Sequence, residues 1–233
     1  MTPASRTPAS MRPASTTPAS TTPASMRLAS IKFALALVMF TLALAGCSPP
    51  PVPDVTYFRL PAPAALPHAD KPLSSLPIEV EVFGAEGVYA EQSLIYAAAA
   101  DGNALRTYHY QLWSDPPAHA LQTRLVVMLR ESGISGLVTD RLPASTQALR
   151  VHGTIRRYER NSNNGTVTVS VAVEMRVEQD SGEPLIEQGY HAEVQAADTS
   201  LDATVKAFGS AVDQIFTAFY RDLVALEGEA HAG

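Results

Sequence analysis

The sequence is poor in cysteine. Cys47 is the single cysteine among 233 residues, so the chain forms no internal disulfide and offers no cysteine-rich metal site. An exported form of the protein must therefore be held together by its hydrophobic core. With 46% hydrophobic and 17% charged residues, the composition predicts one modest globular domain accompanied by non-globular segments.

Positive charge is scarce beyond the N-terminus. The first 46 residues hold four of the 17 basic groups and no acid. From residue 47 onward, 13 positive charges oppose 23 negative ones, which gives a net formal charge of −10. Nucleic-acid binding draws most of its affinity from Lys and Arg that neutralise phosphates. This charge balance therefore disfavours nucleic acid as a partner.

The sequence also lacks the motifs of common enzymes. Its six histidines are not spaced as His-x-x-x-His or His-Glu-x-x-His: His68, His109, His119, His152, His191 and His231. It contains no Gly-x-Ser-x-Gly, Ser-x-x-Lys, Gly-x-x-x-x-Gly-Lys or Gly-x-Gly-x-x-Gly, which are cues for hydrolases, transpeptidases and nucleotide binders. We therefore expect no catalytic residues, no metal site and no cofactor.

The first 25 residues are not expected to fold. Pro-Ala-Ser recurs there with a strict period of five residues, and these residue types bury little apolar surface. The segment is interpreted either as a flexible tether or as the product of a translation start placed too early, with Met26 as the working start. We expect it to be absent from the mature protein.

Residues 26–46 have the layout of a secretory signal peptide. Arg27 and Lys32 are basic, and the apolar run over residues 33–45 is too short to span a bilayer. The run ends in Leu44-Ala45-Gly46-Cys47, which resembles the lipobox of bacterial lipoproteins. An ordinary signal peptide that happens to precede a cysteine is the alternative.

The lipobox predicts that Cys47 is the lipid-attachment residue of the mature protein. Two or three acyl chains, at ~0.8 kcal/mol per buried methylene, would hold the protein on a membrane almost permanently. Ser48 follows the cysteine, whereas Asp at that position retains enterobacterial lipoproteins in the inner membrane. The expected location is therefore the outer membrane, facing the periplasm.

The rest of the sequence predicts an α+β domain over residues 56–226, between a lipidated Pro-rich spacer (47–55) and a flexible tail (227–233). Seven segments have the alternation or β-branched content of strands: 56–60, 78–83, 92–98, 107–113, 149–158, 167–177 and 186–194. Two segments have helical spacing, one capped by Asp115 and ended by Gly133, the other over residues 201–226. We expect a two-layer sandwich in which helices pack on one face of a mainly antiparallel sheet. A coiled coil through the last helix, and with it a homo-oligomer, is the alternative.

Several segments together resemble the ABC-type transport auxiliary lipoproteins, which include the paraquat-inducible protein C type. The resemblance rests on the lipobox with its Pro-rich spacer, on Tyr57-Phe58-Arg59-Leu60-Pro61, on Leu94-Ile95-Tyr96, and on the run from Tyr108 to Pro117. It implies an outer-membrane lipoprotein that works with an MCE-domain periplasmic protein, a permease and an ATPase in lipid transport. Leu112 and Ser114 depart from the family, which often has Arg before the tryptophan and Ala or Glu after it.

A non-enzymatic transport accessory that docks an MCE protein is the leading functional hypothesis. A lipoprotein that binds peptidoglycan or another envelope assembly is the second, and an enzyme with a buried polar cluster is the third. Tyr108, Tyr110 and Trp113 are the candidate partner-binding residues, because aromatic anchors dominate interface energetics. The two tyrosines share one strand face and Trp113 has the opposite one, so we expect Trp113 to be a packing residue.

Arg156, Arg157 and Arg160 form the one basic cluster of the sequence. They are interpreted either as a site for an acidic partner or headgroup, or as internal ion pairs with Glu159, Glu174 or Glu178 across a hairpin.

Overall fold

The structure, a computed structural model, describes residues 51–72, 75–98, 103–179 and 184–230 and the single position 35, with side chains described up to residue 226. Leu44, Ala45, Gly46 and Cys47 lie outside the described residues, as do most of the predicted signal peptide and the Pro-Ala-Ser repeats. The same is true of the end of the predicted tail, residues 231–233.

Within the described residues, nine strands and two α-helices form an α+β domain, as the sequence predicts. The strands are β1 (Thr56–Phe58), β2 (Ile78–Val80), β3 (Gly84–Ala85), β4 (Ser93–Ala97), β5 (Leu105–Trp113), β6 (Val138–Thr139), β7 (Leu149–Asn163), β8 (Thr166–Glu178) and β9 (Pro184–Gln195). The helices are α1 (Pro117–Ser132) and α2 (Leu201–Ala230), and a single 3-10 turn covers Gly87–Ala90.

The sheet is mixed, and its parallel pairings are a feature that the prediction of a mainly antiparallel sheet does not include. The strands follow the order β1-β5-β4-β7-β2-β6, with β3 beside β7 and with β8 between β7 and β9. The pairs β4–β5, β7–β8 and β8–β9 are antiparallel, whereas β7 pairs in parallel with β2, β3 and β4, as β1 does with β5 and β2 with β6. Turn signals in a sequence reveal hairpins, which are antiparallel. Parallel pairs join strands separated by long connections and leave no such local signal.

The hairpin β7–β8 is the longest pairing of the sheet and confirms the most regular pattern of the sequence. Its turn has positive φ at Asn164 (48°) and Gly165 (80°), as the Asn-Gly pair predicts. The alternating positions of β8 are all buried: Val167, Val169, Val171, Val173, Met175 and Val177. This face of the strand therefore forms part of the hydrophobic core.

Helix α2 covers the core and uses its apolar stripe within the domain. It lies against β8 and β9, and its ring contacts include Phe219 with Tyr190 on β9, at 6.0 Å between centroids. Six stripe positions are buried: Val205, Phe208, Val212, Ile215, Phe219 and Leu223. The stripe thus packs on the protein's own sheet, the interpretation preferred over a coiled coil.

Helix α1 ends as predicted but begins differently. Gly133 has φ of 71° and ends the helix, because a left-handed residue satisfies the last carbonyls. The residue before the helix is Pro116, and no side chain caps the helix. The carboxylate of Asp115 instead accepts a hydrogen bond from the Ser114 hydroxyl at 3.0 Å. The predicted cap at Asp115 is therefore wrong.

Strand β2 is shorter than predicted and is buried on both faces. Its alternation of apolar and acidic residues predicts a solvent-facing Glu79, yet Glu79 is only 8% exposed. The carboxylate pairs with Arg150 at 2.7 Å and accepts the backbone N–H of Leu142 at 2.8 Å. A segment far along the chain therefore covers the acidic face, and local alternation cannot reveal such a cover.

Candidate functional site

A groove of about 580 Å³ holds two of the three aromatic residues that the sequence analysis selects. Tyr108 and Tyr110 are half-buried on β5. The ring of Tyr108 lies 4.7 Å from that of Tyr96 on β4, tilted by 47°, and the ring of Tyr110 lies 6.5 Å from that of His109. The lining residues are Val88, Glu91, Tyr96, Leu105, Arg106, Thr107, Tyr108, His109, Tyr110 and Gln111. We call this surface the tyrosine groove.

The tyrosine groove combines apolar rings with open polar groups. Among the described residues, neither the Tyr108 nor the Tyr110 hydroxyl makes a hydrogen bond to another part of the chain. Glu91 and Arg106 lie at its edge and are exposed. Tyrosines that are partly buried and keep a free hydroxyl supply contact area and a directed hydrogen bond together, which is the chemistry of protein interfaces.

Trp113, the third candidate, belongs to the core. It is 4% exposed. Its ring lies 5.5 Å from that of Tyr158 on β7 and 5.2 Å from that of Phe208 on α2, edge to face. Tyr158 and Phe208 stack at 4.4 Å, and burial raises the pKa of the Tyr158 phenol. The expectation that Trp113 is a packing residue agrees with this position, and the tyrosine groove is left with Tyr108 and Tyr110.

Strand β1, the first strand after the predicted lipid anchor in the sequence, adjoins the strand that carries the groove. β1 pairs with β5 in parallel, with Tyr57 opposite Leu112 and Phe58 opposite Trp113. Tyr57 is 62% exposed. The chain segment that emerges from the predicted spacer therefore runs beside the tyrosine groove's own strand.

Ser114, one of the two positions at which the sequence departs from the family that it resembles, holds this edge of the sheet through its backbone. The Ser114 N–H donates to the carbonyl of Phe58 at 2.7 Å, and the Ser114 carbonyl accepts the Gln92 side chain at 2.9 Å. These contacts involve the backbone of residue 114. They can therefore form with Ser at this position as well as with the Ala or Glu that the family often has there. Leu112, the other departure, is half-buried opposite Tyr57.

Sequence reasoning misses a buried ion pair between the two helices. Arg124 of α1 donates through Nε and Nη2 to the two carboxylate oxygens of Asp213 on α2, each at 2.8 Å. Its Nη1 donates to the carbonyl of Pro61 at 2.6 Å, and Asp213 accepts the N–H of Ala64 at 3.1 Å. We call this set of contacts the Arg124 clamp. It holds the loop after β1 against both helices, and the one sequence signal for it is an arginine at helical spacing within the apolar stripe of α1.

Two tyrosines pair with carboxylates and join distant elements. The Tyr89 hydroxyl donates to Glu159 at 2.7 Å and the Tyr190 hydroxyl donates to Asp222 at 2.6 Å. Burial, and then the hydrogen bond to the carboxylate, raise the pKa of both phenols. They attach the 3-10 turn to β7, and β9 to α2.

The arginine cluster makes contacts within the domain, and one of them, between Arg156 and Glu174, is an ion pair across the hairpin as the second interpretation predicts. Arg156 pairs with Glu174 at 2.7 Å and Glu86 at 3.3 Å, and the hydrogen bond that it donates to Glu174 raises the pKa of its guanidinium. Arg157 lies 3.6 Å from Glu159. Arg160 donates to the side chain of Thr204 and the carbonyl of Thr199. Glu178, the third expected partner, instead lies beside His152 and Arg176.

His152 faces two carboxylates, with Nδ1 3.1 Å from Glu81 and Nε2 3.3 Å from Glu178. In the described part of the chain, no three His, Cys, Asp or Glu side chains are grouped as a metal site would require. His231 lies outside the described residues. Among the helices described, none is long and apolar enough to cross a bilayer.

Comparison with known proteins gives one family and two related folds. Residues 58–218 match the family described as ABC-type transport auxiliary lipoprotein component. A crystal structure of a Xanthomonas campestris protein of the DUF330 family matches with a TM-score of 0.65 at 14% identity, covering 76% of this chain and 100% of that one. An uncharacterised protein of known structure matches with a TM-score of 0.58 at 16% identity, covering 73% and 99%. No match to this chain is found among the curated proteins. At these identities the two structures establish the fold alone.

Proposed function

The chain belongs to the ABC-type transport auxiliary lipoprotein family, and from this premise we propose that it is the non-enzymatic, outer-membrane component of an MCE-type ABC system that moves lipids between membranes. In this role the domain holds an MCE-domain periplasmic protein at the membrane to which Cys47 is attached. Lipid cargo passes through the partner, and the domain serves as its dock.

The tyrosine groove is the observation that supports this role. Tyr108 and Tyr110 are half-buried, their rings contact Tyr96 and His109, and their hydroxyls have no partner within the described residues. In the arginine cluster, by contrast, Arg156 and Arg157 already pair with internal carboxylates, and Arg160 donates to Thr204 and Thr199. Of the candidate sites that the sequence suggests, the groove is therefore the one with unused binding capacity.

The length of the predicted tether favours a dock close to the membrane. Thr56, where β1 begins, lies nine positions beyond Cys47 in the sequence, and an extended chain advances ~3.4 Å per position. β1 therefore stands at most about 30 Å from the lipidated residue. Since β1 pairs with β5, a partner that binds the groove is held near the membrane surface.

Binding between the lipidated full chain in detergent and the soluble part of its MCE protein tests this proposal. We expect Tyr108→Ala and Tyr110→Ala each to weaken the complex by roughly 30-fold, since aromatic anchors contribute about 2 kcal/mol or more. Val224→Ala, a truncation of a 39% exposed side chain on α2 outside the groove, is the matched control and should leave affinity unchanged. If the wild-type chain binds no MCE protein and instead cosediments with purified cell wall, it acts as a peptidoglycan-docking lipoprotein.

Density-gradient separation of the two membranes tests the location. Ser48 predicts banding with the outer membrane. Banding with the inner membrane would contradict the proposed site of action, while leaving the groove's affinity for a partner to be judged by the binding experiment.

A further inference from the structure

Strand β9 forms a long free edge of the sheet. It pairs with β8 at Pro184 and from Ile186 to Gln195, and among the described residues no strand lies along its other side. The register runs without a break over the pairs from Ile186 to Gln195. Proteins usually protect such an edge with a bulge, a lysine or a proline. Here Pro184 and the register shift at Leu185 lie only at the start of the strand, and residues 184–198 contain no Lys or Arg.

The direction of the free backbone groups follows from one hydrogen bond. The N–H of Ala196 donates to the carbonyl of Val167 on β8 at 2.9 Å. In an antiparallel pair, the backbone N–H and C=O of every second residue point to the same neighbouring strand. The backbone N–H and C=O groups of the even-numbered residues of β9 therefore point toward β8. From Glu187 to Gln195 the odd-numbered residues direct theirs away from the sheet, and all of these residues are exposed: Glu187, Gly189, His191, Glu193 and Gln195.

A shallow depression of about 320 Å³ lies on the outer face beside this edge. The two smallest residues of its lining are Ala172 on β8 and Gly189 on β9. A Cβ built on Gly189 would meet no atom within 4 Å. A side chain on an added strand, placed opposite Gly189, would therefore have room to lie across it toward Ala172, as aromatic rings do over edge glycines.

The charge along the edge selects the kind of strand that fits. The outward side chains include Glu187, opposite Arg176 on β8, and Glu193, which accepts a hydrogen bond from the Ser170 hydroxyl at 3.0 Å. Strand β9 itself contains no Lys or Arg. In the register of greatest overlap, a second copy would place Glu187 opposite Glu193, and like charges directly opposite destabilise a sheet. Lysine or arginine at these two positions would instead form cross-strand ion pairs.

We propose that β9 is a docking edge that binds an extended, basic segment of another protein as an added antiparallel strand. Main-chain hydrogen bonds to the odd-numbered residues provide the affinity, as in other strand additions. Basic residues opposite Glu187 and Glu193 and a large side chain opposite Gly189 provide the specificity. This edge is separate from the tyrosine groove, and the proposal does not depend on the function of that groove.

A designed peptide provides the probe. In the capped peptide Lys-Val-Thr-Val-Phe-Val-Lys, antiparallel pairing sets lysines opposite Glu193 and Glu187 and phenylalanine opposite Gly189. We expect it to bind the full chain in detergent at least tenfold more tightly than the same peptide with glutamates in place of both lysines. Replacing its phenylalanine by glycine should also weaken binding.

Variants of β9 decide whether the edge is the binding site. His191→Pro removes an outward N–H and leaves the ladder to β8 intact, since the 191 N–H does not face β8. It should abolish peptide binding, whereas His191→Ala keeps the N–H and should retain it. The double variant Glu187→Lys/Glu193→Lys should reverse the preference in favour of the glutamate peptide, and this test remains available if the proline variant fails to fold.

Equal binding by the folded His191→Pro variant would overturn the proposal, as would an unchanged charge preference in the double lysine variant. Sedimentation of the chain without peptide tests whether the chain associates with itself. Self-association that His191→Pro abolishes would mean that a second copy of this chain occupies the edge, and the proposed basic partner would then be wrong.

Discussion

Arg124 and Asp213 join the two helices through a buried, bidentate ion pair, although they lie 89 positions apart in the sequence. Their side chains are 5% and 17% exposed, and the remaining donors and acceptors bind the backbone of the loop after β1. This loop follows the strand nearest to the predicted lipid anchor. The Arg124 clamp therefore links the domain's entry segment to its core.

Breaking the Arg124 clamp on one side should be strongly destabilising. Asp213→Asn leaves the Arg124 guanidinium buried without its counter-charge, and the loss of one partner in such a pair costs about 3–5 kcal/mol of the free energy of unfolding. Urea denaturation followed by circular dichroism measures the change. Glu174→Gln, which breaks the exposed pair with Arg156, is the matched control and should have a much smaller effect. Equal losses in the two variants would contradict the importance of burial.

Gly209 of α2 is expected to tolerate no side chain, because the loop held by the Arg124 clamp passes directly over it. A Cβ at this position would lie 2.6 Å from Cγ and 2.9 Å from Cδ of Pro61. In an exposed helix, Gly to Ala stabilises by about 1 kcal/mol, so Gly209→Ala should have the opposite sign to the usual one. Thermal unfolding tests this, with Ser210→Ala at the exposed next position as the control. The double variant Gly209→Ala/Pro61→Ala should recover stability if the proline ring is the cause.

The sequence predicts those parts of the fold that depend on neighbours along the chain. The valine alternation of β8, the Asn164-Gly165 turn and the stripe of α2 are local patterns, and the structure has all three. The Arg124 clamp and the cover over Glu79 depend on residues far apart in the chain. A single sequence carries no periodic signal for such contacts, which is why the acidic face of β2 and the parallel pairings are not predicted correctly.

The same distinction applies to the candidate site. Alternation along β5 places Trp113 on the opposite face from Tyr108 and Tyr110, and Trp113 is buried. The contribution of β4, which supplies Tyr96 to the groove, requires knowledge of the pairing between strands. The free edge of β9 depends on where the sheet ends, which no local pattern specifies.

The domain should lose stability in alkaline solution. Burial raises the pKa of the Tyr158 phenol above its ordinary value, and burial with the Asp222 hydrogen bond does the same for Tyr190. Tyrosines in the unfolded chain lose their protons near pH ~10. Above this pH the unfolded state binds fewer protons than the native state, so the free energy of unfolding is fully present below about pH 10 and falls as pH rises further.

Urea denaturation at pH 8 and at pH 10.5 measures this loss. Tyr158→Phe should flatten the dependence on pH, because the buried phenol contributes up to about 1.4 kcal/mol per pH unit. Tyr57→Phe, at a side chain that is 62% exposed, should leave the dependence as it is. A pH dependence that Tyr158→Phe does not alter would show that other groups cause the alkaline loss.

Lipid attachment at Cys47 is a prediction of the sequence alone. Leu44-Ala45-Gly46-Cys47 at the end of a short apolar run predicts a mature N-terminus at Cys47, without the Pro-Ala-Ser repeats. Metabolic labelling with radioactive palmitate should label the wild-type protein, and Cys47→Ala should remain unlabelled and unprocessed. Equal labelling of the two proteins would mean that the lipid is attached elsewhere.

Trp113 provides a natural fluorescent reporter that separates packing from partner binding, because it is the one tryptophan of the chain. Its ring is enclosed by Tyr158 and Phe208, so its emission should be that of an apolar environment and should resist quenching by acrylamide until urea unfolds the domain. A tryptophan-free MCE fragment that binds the tyrosine groove should leave this emission unchanged.

Trp113→Phe keeps an aromatic ring in the core and should retain partner affinity, although the smaller ring will cost some stability. Two results would contradict this expectation: weakened binding by a folded Trp113→Phe variant, or a change in quenching when the partner is added. Either result would place Trp113 in the interface, and the proposed dock would then include the part of β5 that pairs with β1.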